Sequence, residues 1–257
     1  DIFKESLVYP TKNWDKLLIL GVLIIIANLV TVMATIGIEL QSIDSMGIIL
    51  GILAIVGLII SIIVGGYSFS IIKDTINNLD TLPEFEFLTN FVDGLKVFVV
   101  SIVYYLIPTI ITLIIAYLTG VFDNIVKILP YVNGTTVPET LITNLAISSS
   151  VTFIIGIILM IIFTLLLTIA IPRMADKDSF GEAFAFKKIF NTIGDIGWGN
   201  YIVWYILLVI ILMVISWITA LITFIPIIGM IIALIFINPF ITIFSSRALG
   251  LIYNEKD

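Results

Sequence analysis

The chain has no cysteine and no histidine. The first absence excludes disulfides and thiolate chemistry, and the second excludes imidazole metal sites and Ser–His hydrolysis. Charge is scarce too. Only 12% of the residues are Asp, Glu, Lys or Arg, against about 25% in a soluble domain. The net charge of −6 offers nothing to a nucleic-acid backbone. What fills the space is apolar: 60% of the 257 residues are hydrophobic and the mean hydropathy is +1.24. A soluble fold of this composition would carry an apolar surface nearly everywhere, so the solvent is a bilayer. A β-barrel needs polar/apolar alternation, and stretches such as Ile48 to Ile63 have none. Helices are therefore expected.

Six stretches are long enough to span: 17–38, 46–72, 97–121, 147–171, 201–224 and 227–246. The last two form one charge-free run that Phe224-Ile225-Pro226-Ile227-Ile228-Gly229 breaks with a Pro and a Gly. Gly65-Gly66 is a candidate kink in the long second span. The chain starts at Asp1 rather than Met, so the numbering is expected to begin inside a longer or processed product. The first apolar stretch lacks a small-residue cleavage site and reads as a true span.

Basic residues orient the spans. Lys4, Lys12 and Lys16, then Lys73 and Lys96, then Arg173, Lys177, Lys187 and Lys188, then Arg247 and Lys256 all fall on one side. Lys127 alone falls on the other. The positive-inside rule places both termini in the cytoplasm of a multi-pass cell-membrane protein. Asn133-Gly134-Thr135 lies on the opposite side and has the pattern of an N-glycosylation acceptor, although Asn-Gly is also a plain turn dipeptide.

A threefold repeat runs through the chain, with units of about 1–79, 80–178 and 179–257 inside a single membrane domain. Each opens on a Phe followed by two variable positions, a small or polar residue and a large apolar one: Phe3 to Leu7, Phe87 to Phe91 and Phe180 to Phe184. Each closes on a basic residue, Lys73, Arg173 or Arg247. Two spans per unit keep the units parallel, unlike the inverted repeats of many transporters. The openings read as cytoplasmic interfacial helices. The third has Ser179 and Glu182 spaced for a capping box, and Phe180, Phe184, Ile189, Phe190 and Ile193 form its apolar side. On the outer side Phe122, Ile125, Val126 and Leu129 have helical spacing and predict a short amphipathic helix. The expected fold is all-α: six transmembrane helices in three parallel two-helix repeats.

Chemistry is thin. No ionisable residue sits mid-span, which argues against a proton-coupled pump and an aspartyl intramembrane protease. Asp93-Gly94 with Lys96 lacks the further aspartates of a metal-dependent phosphatidyl-alcohol transferase. Gly194, Gly197 and Gly199 around Asp195 have no preceding strand and read as a joint. An enzymatic reading would need Asp80, Glu84 and Asp93 to converge on a metal. More informative are helix breakers and lone polar groups. Pro108 and Pro239 are expected kinks, freeing the carbonyls of Tyr104 and Ile235. With Asn28 they outline a cavity lined by Asn28, Tyr104, Thr109 and Asn238. The competing reading is kinks with local repair and ordinary polar contacts.

Leu82-Pro83-Glu84-Phe85, Phe91-Val92-Asp93-Gly94-Leu95-Lys96 and Tyr104-Tyr105-Leu106-Ile107-Pro108 resemble the signature of an archaeal membrane family of unknown function, domain family 4013. More loosely, the chain is similar to the six-span membrane domains that accompany glycerophosphodiesterases. The resemblance implies an archaeal integral membrane protein and carries no activity or site residues. The expectation is a non-enzymatic scaffold, accessory subunit or lipid-organising protein, without cofactor or metal. Its partners would be membrane lipids, and a protein partner or a second copy. The alternative is a permease or small-molecule transporter using the kinked third and sixth spans.

Overall fold

The computed structural model describes residues 2–35, 46–131, 134, 136–225 and 227–256. Among them all regular structure is helical. The elements are α1 (Ile2–Val8), α2 (Trp14–Ala27), α3 (Leu29–Thr35), α4 (Met46–Ile76), α5 (Phe87–Leu118), α6 (Val121–Ile128), α7 (Glu139–Asp176), α8 (Phe186–Ile196), α9 (Trp198–Thr223), α10 (Ile228–Ile232) and α11 (Asn238–Asn254). Five helical stretches are long and apolar enough to cross a membrane, and the α2–α3 pair, bent by 72°, makes a sixth if it is one span. Hydrocarbon offers no partner to a backbone amide, so each apolar run closes its hydrogen bonds internally as a helix.

The sequence boundaries need correction at several points. The second opening is not a separate interfacial helix: Phe87 begins α5, which runs unbroken through Asp93-Gly94 and Pro108 to Leu118. Pro108 and Gly65-Gly66, the expected kink positions, lie inside the continuous helices α5 and α4. The capping box is not formed either. Phe180–Phe184 is a 3-10 turn, Ser179 makes no side-chain cap, and Glu182 faces cations instead. The break between the last two spans falls where Pro and Gly predict it, between Thr223 and Ile228. The expected short amphipathic helix is α6, with Phe122, Ile125 and Val126, and Leu129 just past its end, exposed. Asn133 and Pro226 lie outside the described residues.

Two compact units divide the chain: Asp1–Val99 with Thr168–Asp257, and Val100–Leu167. The core of the first joins Tyr9, Leu17, Leu20, Tyr67, Leu82 and Ile243. Leu82 enters it because the loop after α4 folds back on the N-terminal segment. Its N–H donates to Asn13 Oδ1 (3.2 Å) and its carbonyl accepts from Lys16 Nζ (2.6 Å). Tyr9 and Tyr67 donate to the carbonyls of Thr81 (2.8 Å) and Pro83 (3.1 Å), so each buried phenol has a partner. The helices touch through glycine. A Cβ on Gly66 would lie 1.7 Å from the Asn90 carbonyl oxygen, and one on Gly94 would lie 1.9 Å from that of Ile62. Backbone meets backbone here, the close approach that small residues permit in membranes. In the second unit Tyr104 meets Phe163 edge-on (6.3 Å), and the hydroxyls of Thr119 and Thr152 share a 3.0 Å hydrogen bond.

Candidate functional site

Two places in the first unit concentrate polar groups. One is the end where the chain termini and basic residues gather. Arg247 is buried there beneath α1. Its guanidinium donates to Glu5 through two nitrogens, to the Leu79 carbonyl (2.6 Å), to Thr75 Oγ1 (3.3 Å) and to Asp80 (3.4 Å). It also lies 4.3 Å from the Tyr9 ring centroid. Arg173 makes a similar clamp on Glu182 (2.9 and 2.7 Å) and reaches Thr192 (3.3 Å), and Lys188 takes the other Glu182 oxygen (2.6 Å). Glu5 and Glu182 are each the third residue of an opening segment. In the second opening that position is Thr89, which donates to Glu86 (3.0 Å), while Lys73 turns to Asp178 (2.9 Å). The fourth residue of each opening, Ser6, Asn90 or Ala183, is sealed from solvent.

These pairs set the local titration. Hydrogen bonds from Lys188 and Arg173 hold the Glu182 carboxyl below its ordinary range, and Lys12 and Lys73 do the same for Asp80 and Asp178. Burial pushes the Tyr9 phenol up to about 12, partly opposed by Arg247. A carboxyl with a lowered folded pKa stabilises above its unfolded pKa, and that contribution is lost as pH falls through the folded value. The protein is therefore expected to hold a constant melting temperature around neutrality and to lose stability below about pH 4. Glu182→Gln is expected to lower the neutral value and flatten part of the acid fall, as intrinsic fluorescence against pH will report. An unchanged acid profile in that variant would count against the clamp.

The three acids of the enzymatic reading each meet a different cation: Asp80 with Lys12 (2.5 Å), Glu84 with Lys16 (2.7 Å) and Asp93 with Lys96 (2.7 Å). Among the described residues no three carboxylates gather as a metal centre would require.

The second place lies within the spans. Asn28 ends α2: its N–H reaches the carbonyls of Ile24 (3.1 Å) and Ile25 (3.0 Å), and its side-chain Nδ2 donates to Ile24 as well (2.8 Å). The side chain competes with the helix for its own backbone, and the chain leaves at 72° as α3. A second irregularity comes from Pro239. Its missing N–H deprives the Ile235 carbonyl of its helical donor. Residues Ala233–Ile237 widen into a π-turn, in which the Asn238 N–H reaches back to the Ala233 carbonyl. The Ile235 carbonyl oxygen then rests against Gly21, where a Cβ would approach to 2.4 Å. So close an approach of backbone to backbone is open only to glycine.

Asn28 and Asn238, the residues that follow the two irregular stretches, line one open groove of about 330 Å³ together with Ile24, Ala27, Ser61 and Thr242, among others, and Asn28 and Ser61 are exposed. Of the four expected lining residues the structure brings Asn28 and Asn238 together here. Tyr104 and Thr109 belong to the second unit. Tyr104 is buried. Thr109 lines an apolar groove of about 390 Å³ with Thr112, Phe153, Gly156 and Met160. Ser61 and Thr242 went unnoticed in the sequence. Thr242 stands one helical turn after Asn238 and shares its face, a signal that was there to read. Ser61 is a lone hydroxyl in an apolar run and carries no signal of its own.

Among the described residues all regular structure is helical, and five to six helices long and apolar enough to cross a membrane give the chain the composition of a multi-pass α-helical membrane protein. Residues 49–224 match the family described as "Protein of unknown function (DUF4013)", and the chain belongs to that family. The chain is 28% identical over 227 residues to the uncharacterized protein MJ0233 of Methanocaldococcus jannaschii, across 82% of this chain and 72% of that protein. No solved structure matches the chain.

Proposed function

We propose that this protein is a non-enzymatic membrane protein that binds a small solute in the cavity beside Asn28 and Asn238 and passes it between the two sides. Its termini would be cytoplasmic, as the distribution of Lys and Arg suggests. The observation that carries the reading is that Asn28, where α2 breaks, and Asn238, which follows the π-turn, line one groove with the hydroxyls of Ser61 and Thr242. Discontinuous helices and π-turns in membranes collect at ligand sites, because freed backbone and polar groups are tolerated only where something receives them.

The absence of native cysteine makes a clean test. Ser61→Cys and Thr242→Cys are expected to react with a water-soluble methanethiosulfonate ammonium reagent, because a thiol must meet water to ionise. Val56→Cys, on the exposed apolar face of α4, is expected to stay inert in the bilayer. Inert cavity cysteines would refute the solute-binding reading.

A second reading is then the stronger one: a scaffold, accessory subunit or lipid-organising protein built from three parallel units, residues 1–79, 80–178 and 179–257. Its support is that the apolar windows of the spans are only 6–28% buried. Side chains such as Trp217, Phe224, Leu118 and Phe153 thus face outward to lipid, a partner or a second copy.

A further inference from the structure

The chemistry of the solute follows from which hydrogen-bonding capacity in the cavity is already spent. Ser61 Oγ donates its only proton to the Gly57 carbonyl (2.8 Å). Thr242 Oγ1 donates its only proton to the Asn238 carbonyl (2.9 Å). The Asn28 amide donates one of its two N–H groups to the Ile24 carbonyl (2.8 Å). A hydroxyl whose proton is committed offers only lone pairs, and an amide oxygen is always an acceptor. Ser61 and Thr242 therefore offer acceptors only, while Asn28 keeps its amide oxygen and one N–H. The fourth, Asn238, presents an amide able to turn either end. Among the described residues no Asp, Glu, Lys or Arg lines the groove.

Among the described residues the groove offers an anion no cation to pair with. A cation would find acceptors but no counter-charge, and an uncompensated ion within the span is expensive. What fits is a neutral molecule that donates hydrogen bonds. Resting on the proposed solute-binding role of this cavity, we infer that its ligand is a neutral, hydroxyl-bearing molecule of glycerol-like chemistry, held by the oxygens of Ser61, Thr242 and Asn28. The about 330 Å³ of space is at the small end of ligand pockets, which suits a short polyol or the free glycerol hydroxyl of a neutral lipid. Both sources bring the same donor groups.

The experiment uses the full chain in lipid nanodiscs with two radiolabelled probes, free glycerol and a diacylglycerol incorporated in the bilayer. Saturable binding of one or both is expected, and which one identifies the source. The double variant Ser61→Ala/Thr242→Val is expected to weaken it about tenfold, the net worth of roughly one hydrogen bond. Thr223→Val, which changes a hydroxyl outside the cavity, is expected to leave it unchanged. Displacement of the probe by methylammonium would overturn the neutral class. So would binding indifferent to the double variant. Absence of saturable binding of both probes, with Ser61→Cys still reactive, would overturn the ligand class and leave the solute cavity standing. Absence of binding together with an inert Ser61→Cys would bring down both.

Discussion

Gly66→Ala is expected to disrupt the packing of α4 on α5, while Gly65→Ala, one residue away, is expected to leave it intact. A Cβ on Gly66 would stand 1.7 Å from the Asn90 carbonyl oxygen, with the rest of that peptide within 2.8 Å. The obstacle is helix backbone, so no side-chain rotamer relieves it. The neighbouring α5 must withdraw, and with it the reciprocal contact of Gly94 on the Ile62 carbonyl. Overpacking of side chains costs about 1–3 kcal/mol, and a clash of backbone with backbone is expected at or above the top of that range. At Gly65 a Cβ meets nothing within 4 Å. There alanine removes glycine's backbone freedom and is expected to be neutral or to stabilise by up to about 1 kcal/mol. Resistance to unfolding in mixed micelles, measured for both variants, checks the contrast. Equal losses in the two would mean that α4 and α5 do not meet through Gly66.

Arg247→Met is expected to destabilise the protein by about 3 kcal/mol, as one or two charge-assisted hydrogen bonds do. The guanidinium ties α1 and the loop after α4 to α11, with Glu5, Asp80 and the Leu79 carbonyl all on one planar group. The loss falls short of a stranded buried pair, because Glu5 and Asp80 are 43% and 65% exposed and stay hydrated once the cation is gone. Arg247→Lys is expected to recover only part of the stability, since one ammonium cannot reproduce the fork that spans Glu5 and Leu79 together. Glu5→Gln alone is expected to cost less than Arg247→Met, because Leu79, Thr75 and Tyr9 keep their contacts. A double-mutant cycle of Glu5 and Arg247 with no coupling would show that the clamp contributes nothing. Loss of the N-terminal segment alone would be revealed by protease sensitivity before Tyr9.

The proposed cavity was half legible. Asn28 and Asn238 stood out because an amide in an apolar run is a local anomaly, and Pro239 because a missing N–H is a property of one residue. Tyr104 and Thr109 belong to the second unit, and α5 passes Pro108 as one helix. A proline within a helix predicts a lost hydrogen bond, and whether the chain breaks or merely absorbs the loss depends on its neighbours. At Pro239 a π-turn and a bare Gly21 receive the freed carbonyl. Nothing near Gly21 in the sequence announces that role.

Hydropathy, period and breakers are local quantities, so the amino-acid sequence by itself determined the all-helical membrane class, the run of apolar spans, the amphipathic α6 and the break after Thr223. It also carried the family resemblance, through a motif of adjacent residues. The tertiary structure alone decided which of two adjacent glycines is a helix contact, that Arg247 holds Glu5 from 242 positions away, and that Ser61 and Thr242 face Asn28. These depend on which helices become neighbours and at what rotation. Spans that are apolar almost all round carry little record of which side turns inward, because lipid and protein interior are nearly the same solvent to them.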